Sequence, residues 1–181
     1  MNLMSKGNSK VKHTLIFNTL SGTEGTCSQN CKDCYAPKAH RYPSVVNAWT
    51  RNTILAKTDL PSLKRHLTLQ IAKSKLTTIR IHESGDFFSQ EYVDMWIEIA
   101  GMFPDKSFYA YTKEDYEFGP INIINSYVQL DGRKVYNYGS QEFCDRMEQE
   151  QGYFVCPARR DNDIKCNAGC NHCHANNKVV F

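Results

Sequence analysis

The sequence predicts an α/β domain in which helices cover a parallel sheet. Two observations predict it. β-branched and aromatic runs alternate with stretches of three- and four-residue apolar period, in the order strand, helix, strand, helix, strand. The polar stretches Cys27 to Cys34, Glu83 to Asp86 and Thr112-Lys113 each follow a predicted strand, where parallel sheets carry their functional groups. Residues 1–155 form the sheet domain on this reading. Residues 156–181 form a cysteine-rich, irregular tail packed on the same domain.

Taken in order, Val11 to Leu20 (VKHTLIFNTL) is the first predicted strand, ended by Ser21-Gly22. A helical pattern starts near Ser44, with Val45, Ala48, Trp49, Asn52 and Leu55 at three- and four-residue steps. Pro61 suits the first turn of a second helical piece, Ser62 to Lys75, carrying Leu63, Leu67, Ile71 and Ala72 on one face. Thr77 to His82 is the second strand. Ser89 caps a helix whose stripe is Tyr92, Met95, Trp96 and Ile99, ending near Gly101 and Pro104. Ser107 to Thr112 is the third strand. Further strands are expected within Pro120 to Leu130 and over Lys134 to Tyr138, then a polar helix from Ser140 to Gln151 and a short strand, Tyr153 to Val155. The polar stretch from Arg159 to Asn177 suits a segment ordered by metal rather than by an apolar core.

Composition narrows the function classes. A chain of 181 residues, 41% hydrophobic and 23% charged, buries one ordinary core. The net charge of +3 gives no basic stripe, and no nucleic-acid motif directs the chain to DNA or RNA. No apolar run approaches the roughly 18 residues of a membrane span. Met1 to Lys12 lacks the apolar stretch of a signal peptide, so a cytoplasmic protein with no membrane partner is expected.

Eight cysteines carry the strongest chemical signal. Cys27-Ser-Gln-Asn-Cys31-Lys-Asp-Cys34 and Cys166-Asn-Ala-Gly-Cys170-Asn-His-Cys173 share one spacing, and only Cys144 lies away from them and from Cys156. Without an export signal, clustering of this kind reads as metal ligation rather than a disulfide framework. Three thiolates at Cys27, Cys31 and Cys34 can hold a [4Fe–4S] cluster with one iron left open. The rival is zinc, with His40 or Cys144 as fourth ligand. Cys166, Cys170 and Cys173 have a fourth partner in Cys156, which closes a second [4Fe–4S] cluster or a zinc site in which His172 and His174 can substitute. The roles of the two triplets can also be exchanged. Cys144 reads as a buried apolar residue, with ligation of the first centre as the alternative.

The first triplet, with Tyr35 beside it on the loop after strand one, resembles the signature of radical S-adenosylmethionine (SAM) enzymes. In that family three cysteines hold three irons and SAM chelates the fourth, to be cleaved reductively. Ser84-Gly85-Asp86 stands where that family has a Gly-Gly-Glu-like turn after strand two. More closely, Asn8-Ser9-Lys10, Cys34-Tyr35-Ala36, Arg41-Tyr42-Pro43, Ser84-Gly85-Asp86-Phe87, Tyr109-Ala110-Tyr111-Thr112-Lys113 and the late cysteines resemble a phage-encoded group, the gene-product-eighty-eight-like family. The resemblance implies a partial (β/α) barrel of the radical SAM type and an iron–sulfur protein of phage origin, hence host cytoplasm, with no particular substrate.

Around the first triplet, Glu83, Ser84, Gly85 and Asp86 can hold the amino group of SAM, or can simply be a strand-to-helix turn. Tyr109, Tyr111 and Lys113 alternate onto one face of strand three, where Tyr111 and Lys113 can line the pocket; sheet packing is the alternative, as for Tyr127, Tyr136 and Tyr138. His82 is expected to be a satisfied core histidine and Arg41 a solvated arginine. The function expected is a small SAM-cleaving iron–sulfur enzyme that takes electrons from a donor such as flavodoxin or ferredoxin. The alternatives are a non-enzymatic electron carrier or redox-responsive module on a degenerate scaffold, and a zinc-stabilised phage protein that binds a host factor.

Overall fold

The computed structural model describes residues 1–8, 11–28, 34–125, 134–135, 145, 148–149, 152, 154–155 and 179–180. The strands are β1 (Met4–Lys6), β2 (Thr14–Phe17), β3 (Thr78–Ile81), β4 (Ser107–Thr112), β5 (Asn122–Asn125), β6 (Lys134–Val135), β7 (Phe154–Val155) and β8 (Val179–Val180). The long helices are α1 (Pro43–Thr58), α2 (Leu60–Lys73) and α3 (Gln90–Met102), and a 3-10 turn (Ala36–Arg41) precedes α1.

The described strands pair as one mixed sheet in the order β1-β2-β3-β4-β5-β6-β8-β7. β1 runs antiparallel to β2, and each of the other pairings is parallel. Among the described residues no pairing joins β7 back to β1. The parallel register places Phe17, Ile81 and Ala110 side by side, and Ile16, Arg80 and Tyr109 on the opposite face. The first row, with Leu15, Ile79 and Phe108, packs into one buried cluster with Leu63, Leu67 and Ile71 of α2 and Tyr92, Trp96 and Ile99 of α3. The helices therefore cover one face, and the alternate residues of each strand stand on the other. Crossovers through α1–α2 and through α3 give β3 and β4 their parallel sense. The passage from β4 to β5 makes the same crossover over residues 113–121 without a helix.

Helix boundaries follow local chemistry. Asp59 closes α1 and caps α2, accepting from the Ser62 amide at 3.0 Å. Ser89 caps α3 through the Tyr92 amide at 3.2 Å, as its place in the sequence predicts. α1 starts at Pro43 and α2 ends at Lys73, each within two residues of the expected limit. Three details differ from expectation. β2 is four residues long, shorter than the Val11 to Leu20 run, because the Thr19 amide goes to the Ser84 carbonyl, the Leu20 amide to Thr53 of α1 and the Asn18 carbonyl to Asn52 of α1. Ala72 is exposed, lying about 100° beyond Ile71 on the helix, outside the buried stripe. Asn52, read as part of an apolar stripe, is fully buried and donates its amide to the carbonyls of Leu3 (2.9 Å) and Asn18 (2.8 Å). β1 and β8 had no counterpart among the expected strands.

Of the later elements, Asp145, Glu148 and Gln149 are helical, within the polar helix expected from Ser140 to Gln151. Tyr127, Tyr136, Tyr138, Cys144 and the tail from Cys156 to Asn177 lie outside the described residues.

Candidate metal and ligand site at the strand ends

The loops after β2, β3 and β4 are tied together by side chains. Asn18, at the end of β2, accepts from the amides of Glu83 (2.6 Å) and Ser84 (3.0 Å) through Oδ1. The Thr19 amide donates to the Ser84 carbonyl at 3.1 Å. The hydroxyls of Thr19 and Thr26 meet at 2.7 Å, and Thr26 Oγ1 accepts from the Asp86 amide at 3.1 Å. Ser28 donates to Glu114 in the loop after β4, and the Tyr35 hydroxyl donates to the Glu83 carbonyl at 2.6 Å. The three polar loops that follow the predicted strands thus meet at the carboxyl ends of β2, β3 and β4.

The cysteine loop is folded by its own backbone before it reaches the other loops. Gly25 and Cys27 donate to the Gly22 carbonyl (2.9 and 3.2 Å), and Thr26 donates to that of Leu20 at 3.1 Å. Thr26, buried beside Cys27, fixes the root of the thiol-bearing segment. Cys27 and Cys34 are both half-buried, and Cys31 lies outside the described residues. No set of three or more metal-ligating side chains assembles among the described residues. Two partly sheltered soft donors on one anchored loop, with a third between them in sequence, suit a thiolate-held metal centre. His40, the imidazole expected as a possible fourth ligand, packs its ring edge against Trp49 at 5.9 Å.

The turn after β3 is largely engaged within the protein. Gly85 sits at φ +85°, and a β-carbon there would lie 1.9 Å from Thr19 Oγ1 and 2.6 Å from Thr26 Oγ1. Its lack of a side chain lets the two threonines reach the turn. Asp86 accepts from the Thr112 hydroxyl (2.5 Å), the Phe87 amide (2.9 Å) and the Lys113 amide (3.2 Å), linking β3 to the end of β4. Ser84 is buried, and its Oγ has no hydrogen-bond partner among the described residues. Glu83 is the carboxylate of the turn nearest to solvent; it accepts from Asn8 Nδ2 at 2.6 Å. Tyr109 and Tyr111 share the face opposite the helices, with rings 6.2 Å apart, as their alternation predicts.

His82 leaves β3 in the left-handed region, φ +63°, and is buried between Phe17, Phe87 and Tyr92. Its Nδ1 meets the Ser84 carbonyl at 3.3 Å, an acceptor only, so Nδ1 carries the proton and Nε2 accepts from the Tyr92 hydroxyl at 3.1 Å. Burial, with the Arg80 charge adding to it against the pull of the Ser84 carbonyl, pushes this imidazole down to about 3. Burial also pushes the Asp86 carboxyl up to about 6, against its hydrogen bonds from Thr112, Phe87 and Lys113.

These two shifts act on stability with opposite sign. Between about 3 and 6.5 the unfolded chain protonates His82 and the folded one does not, so stability falls as pH falls through that window. Between 3.8 and about 6 the folded chain keeps the Asp86 proton that the unfolded one loses, so stability rises as pH falls there. The expected result is a loss just below 6.5 that flattens below about 6. In His82→Gln only the Asp86 contribution remains. The gap in unfolding free energy between the two proteins should then approach a change of about 1.4 kcal/mol per pH unit as pH falls below 6.5. Urea titrations from pH 4 to 7 measure it, and a constant gap would refute the assignment of a neutral buried imidazole.

Thr19, Thr26, Asn18 and Arg80 were not expected at the site. The weak signal available was a cluster of hydroxyl and amide side chains immediately after a strand, which usually serves the backbone nearby. Here it serves a turn about sixty residues away.

No curated protein and no solved structure matches the chain. A family model described as Gene product 88 matches residues 2–138, a span that holds the three helices, β1 to β6 and the Cys27 to Cys34 loop but none of the later cysteines. With more than half of its length matched in this way, the chain belongs to the Gene product 88 family.

Proposed function

We propose that this protein is an iron–sulfur protein related to the radical SAM enzymes. A [4Fe–4S] cluster is held by Cys27, Cys31 and Cys34, and a second by Cys156, Cys166, Cys170 and Cys173. The observation that carries the reading is the anchoring of the Cys27 loop. Its neighbour Thr26 is bonded to both Thr19 and the Asp86 amide, so the root of the cysteine loop and the β3 turn meet at the carboxyl ends of β2 and β3. When bound, the N-terminal cluster supplies the electron for reductive cleavage of SAM, on a sheet read as a partial (β/α) barrel. The chain's own residues provide the surroundings. Glu83 and Lys113 would face the ligand and Tyr111 would line its pocket, while Ser84, Gly85 and Asp86 hold the turn that presents Glu83. Among the described residues no helix is long and apolar enough to cross a membrane. On the proposed reading the work is done in the host cytoplasm, with a soluble electron donor.

One observation favours a second reading, a non-enzymatic electron carrier or redox-responsive module. The amides of Glu83, Ser84 and Asp86 and the Asp86 carboxylate are all engaged by Asn18, Thr26, Thr112, Phe87 and Lys113, leaving little of the turn to greet a ligand.

Electron paramagnetic resonance on anaerobic, dithionite-reduced protein separates the two. A cluster signal that shifts on adding SAM is the expected result. A cluster signal indifferent to SAM supports the carrier, and zinc without iron overturns both. Cys31→Ala should remove the N-terminal cluster and leave the other, lowering bound iron by about half on the four-iron stoichiometry. Unchanged iron content in that variant would sink the two-cluster assignment.

A further inference from the structure

Arg80 stands on the sheet face opposite the helices, between Ile16 and Tyr109, which are 1% and 3% exposed. Its own side chain is 11% exposed. Its neighbours in β3, Ile79 and Ile81, point into the core, so the guanidinium is directed to the face that the helices do not cover. A guanidinium has five N–H donors in a rigid fork. Here Nε donates to the His82 carbonyl at 3.3 Å, and Cζ lies 4.8 Å above the ring of Tyr111. Nη1 approaches Glu83 Oε1 only to 3.9 Å, too far for a hydrogen bond, and that oxygen already accepts from Asn8 at 2.6 Å. Among the described residues neither Nη group has a hydrogen-bond acceptor. A guanidinium whose side chain is mostly out of water, lying over an aromatic ring, with its Nη groups unbonded among the described residues, is the arrangement that recognises a carboxylate or phosphate through two parallel bonds.

We infer that Arg80, lying over the ring of Tyr111, is the docking point for an oxyanion of a small ligand on the face of the sheet opposite the helices. The anion is a carboxylate or a phosphate, and it displaces the loose approach of Glu83 to Nη1. The site is made of this chain's own side chains and shares Tyr111 and Glu83 with the proposed SAM pocket, but its test needs no metal at the cysteines.

The test uses the full chain, with unfolding midpoints measured in inorganic phosphate, in acetate and in chloride at matched ionic strength. A saturable rise of the midpoint in phosphate or acetate over chloride is expected. Phosphate alone would identify a phosphoryl ligand and acetate alone a carboxylate ligand. Arg80→Gln should abolish the rise. Arg80→Lys keeps the charge without the fork and should weaken apparent affinity on the order of tenfold. Glu83→Gln removes the competing carboxylate and should tighten binding severalfold, so it decides the matter even where Arg80→Gln fails to fold. No saturable effect with either anion, an equal effect in Arg80→Gln, or weaker binding in Glu83→Gln would each overturn the site.

Discussion

Gly85→Ala is expected to cost roughly 2–5 kcal/mol of stability and to loosen the cysteine loop. Two penalties combine. At φ +85° an L-residue carries the left-handed backbone cost of about 1–2 kcal/mol. Its β-carbon would also stand 1.9 Å from Thr19 Oγ1, and the overpacked site must move at a further cost of about 1–3 kcal/mol. The neighbours cannot yield cheaply, because Thr19 and Thr26 are buried and bonded to one another. Relief comes from moving Thr26, and with it Cys27. The urea midpoint should fall, and on the proposed iron–sulfur reading the iron retained after anaerobic reconstitution should fall further than in an equally destabilised core variant such as Ile99→Ala. If Gly85→Ala keeps wild-type stability, the turn does not hold the cysteine loop as described.

Asp86→Ala should be nearly as damaging, whereas Asp86→Asn should be close to neutral at pH 7. Alanine leaves the Thr112 hydroxyl and the Phe87 and Lys113 amides without their acceptor, and each orphaned donor costs about 1–3 kcal/mol where water cannot replace it. Part of this is returned. Because the folded carboxyl is raised to about 6, its stabilising contribution belongs below 3.8 and is lost as pH rises through 6; at pH 7 the buried charge is a burden that alanine removes. The net expectation for alanine is a loss of roughly 2–4 kcal/mol. Asparagine removes the same burden and keeps an oxygen for Thr112, giving up one amide contact. Denaturation of the two variants at pH 5 and pH 7 checks this, and equal losses in both would mean that charge rather than hydrogen bonding holds the link.

Periodicity, Pro61 in the first turn of α2 and the Ser89 cap of α3 made α1, α2, α3 and the central strands readable, because these are local signals. The meeting of three loops followed from parallel topology alone. What could not be read was how those loops are joined. Asn18, Asn52 and Thr26 are polar residues whose partners lie far along the chain, and nothing in their own neighbourhood names those partners. Ser84-Gly85-Asp86 was legible as a turn but not as a packed one, since the need for glycine comes from Thr19 and Thr26. Arg80 sat in an alternating strand, where a charged residue ordinarily means a solvated face. β1 is three residues long, too short for any pattern.

That short strand also governs how the protein behaves in a crowd. β1 is the edge of the sheet next to β2, whose four residues are all buried. Bare, β2 would offer a run of apolar side chains and unpaired amides to other copies, the usual seed of β-aggregation. β1 covers it with a strand that presents exposed Ser5 and Lys6 outward, and Gly7 at φ +76° turns the chain away immediately afterwards. A charged edge too short to template a neighbour keeps Thr14 to Phe17 from being passed from one molecule to the next.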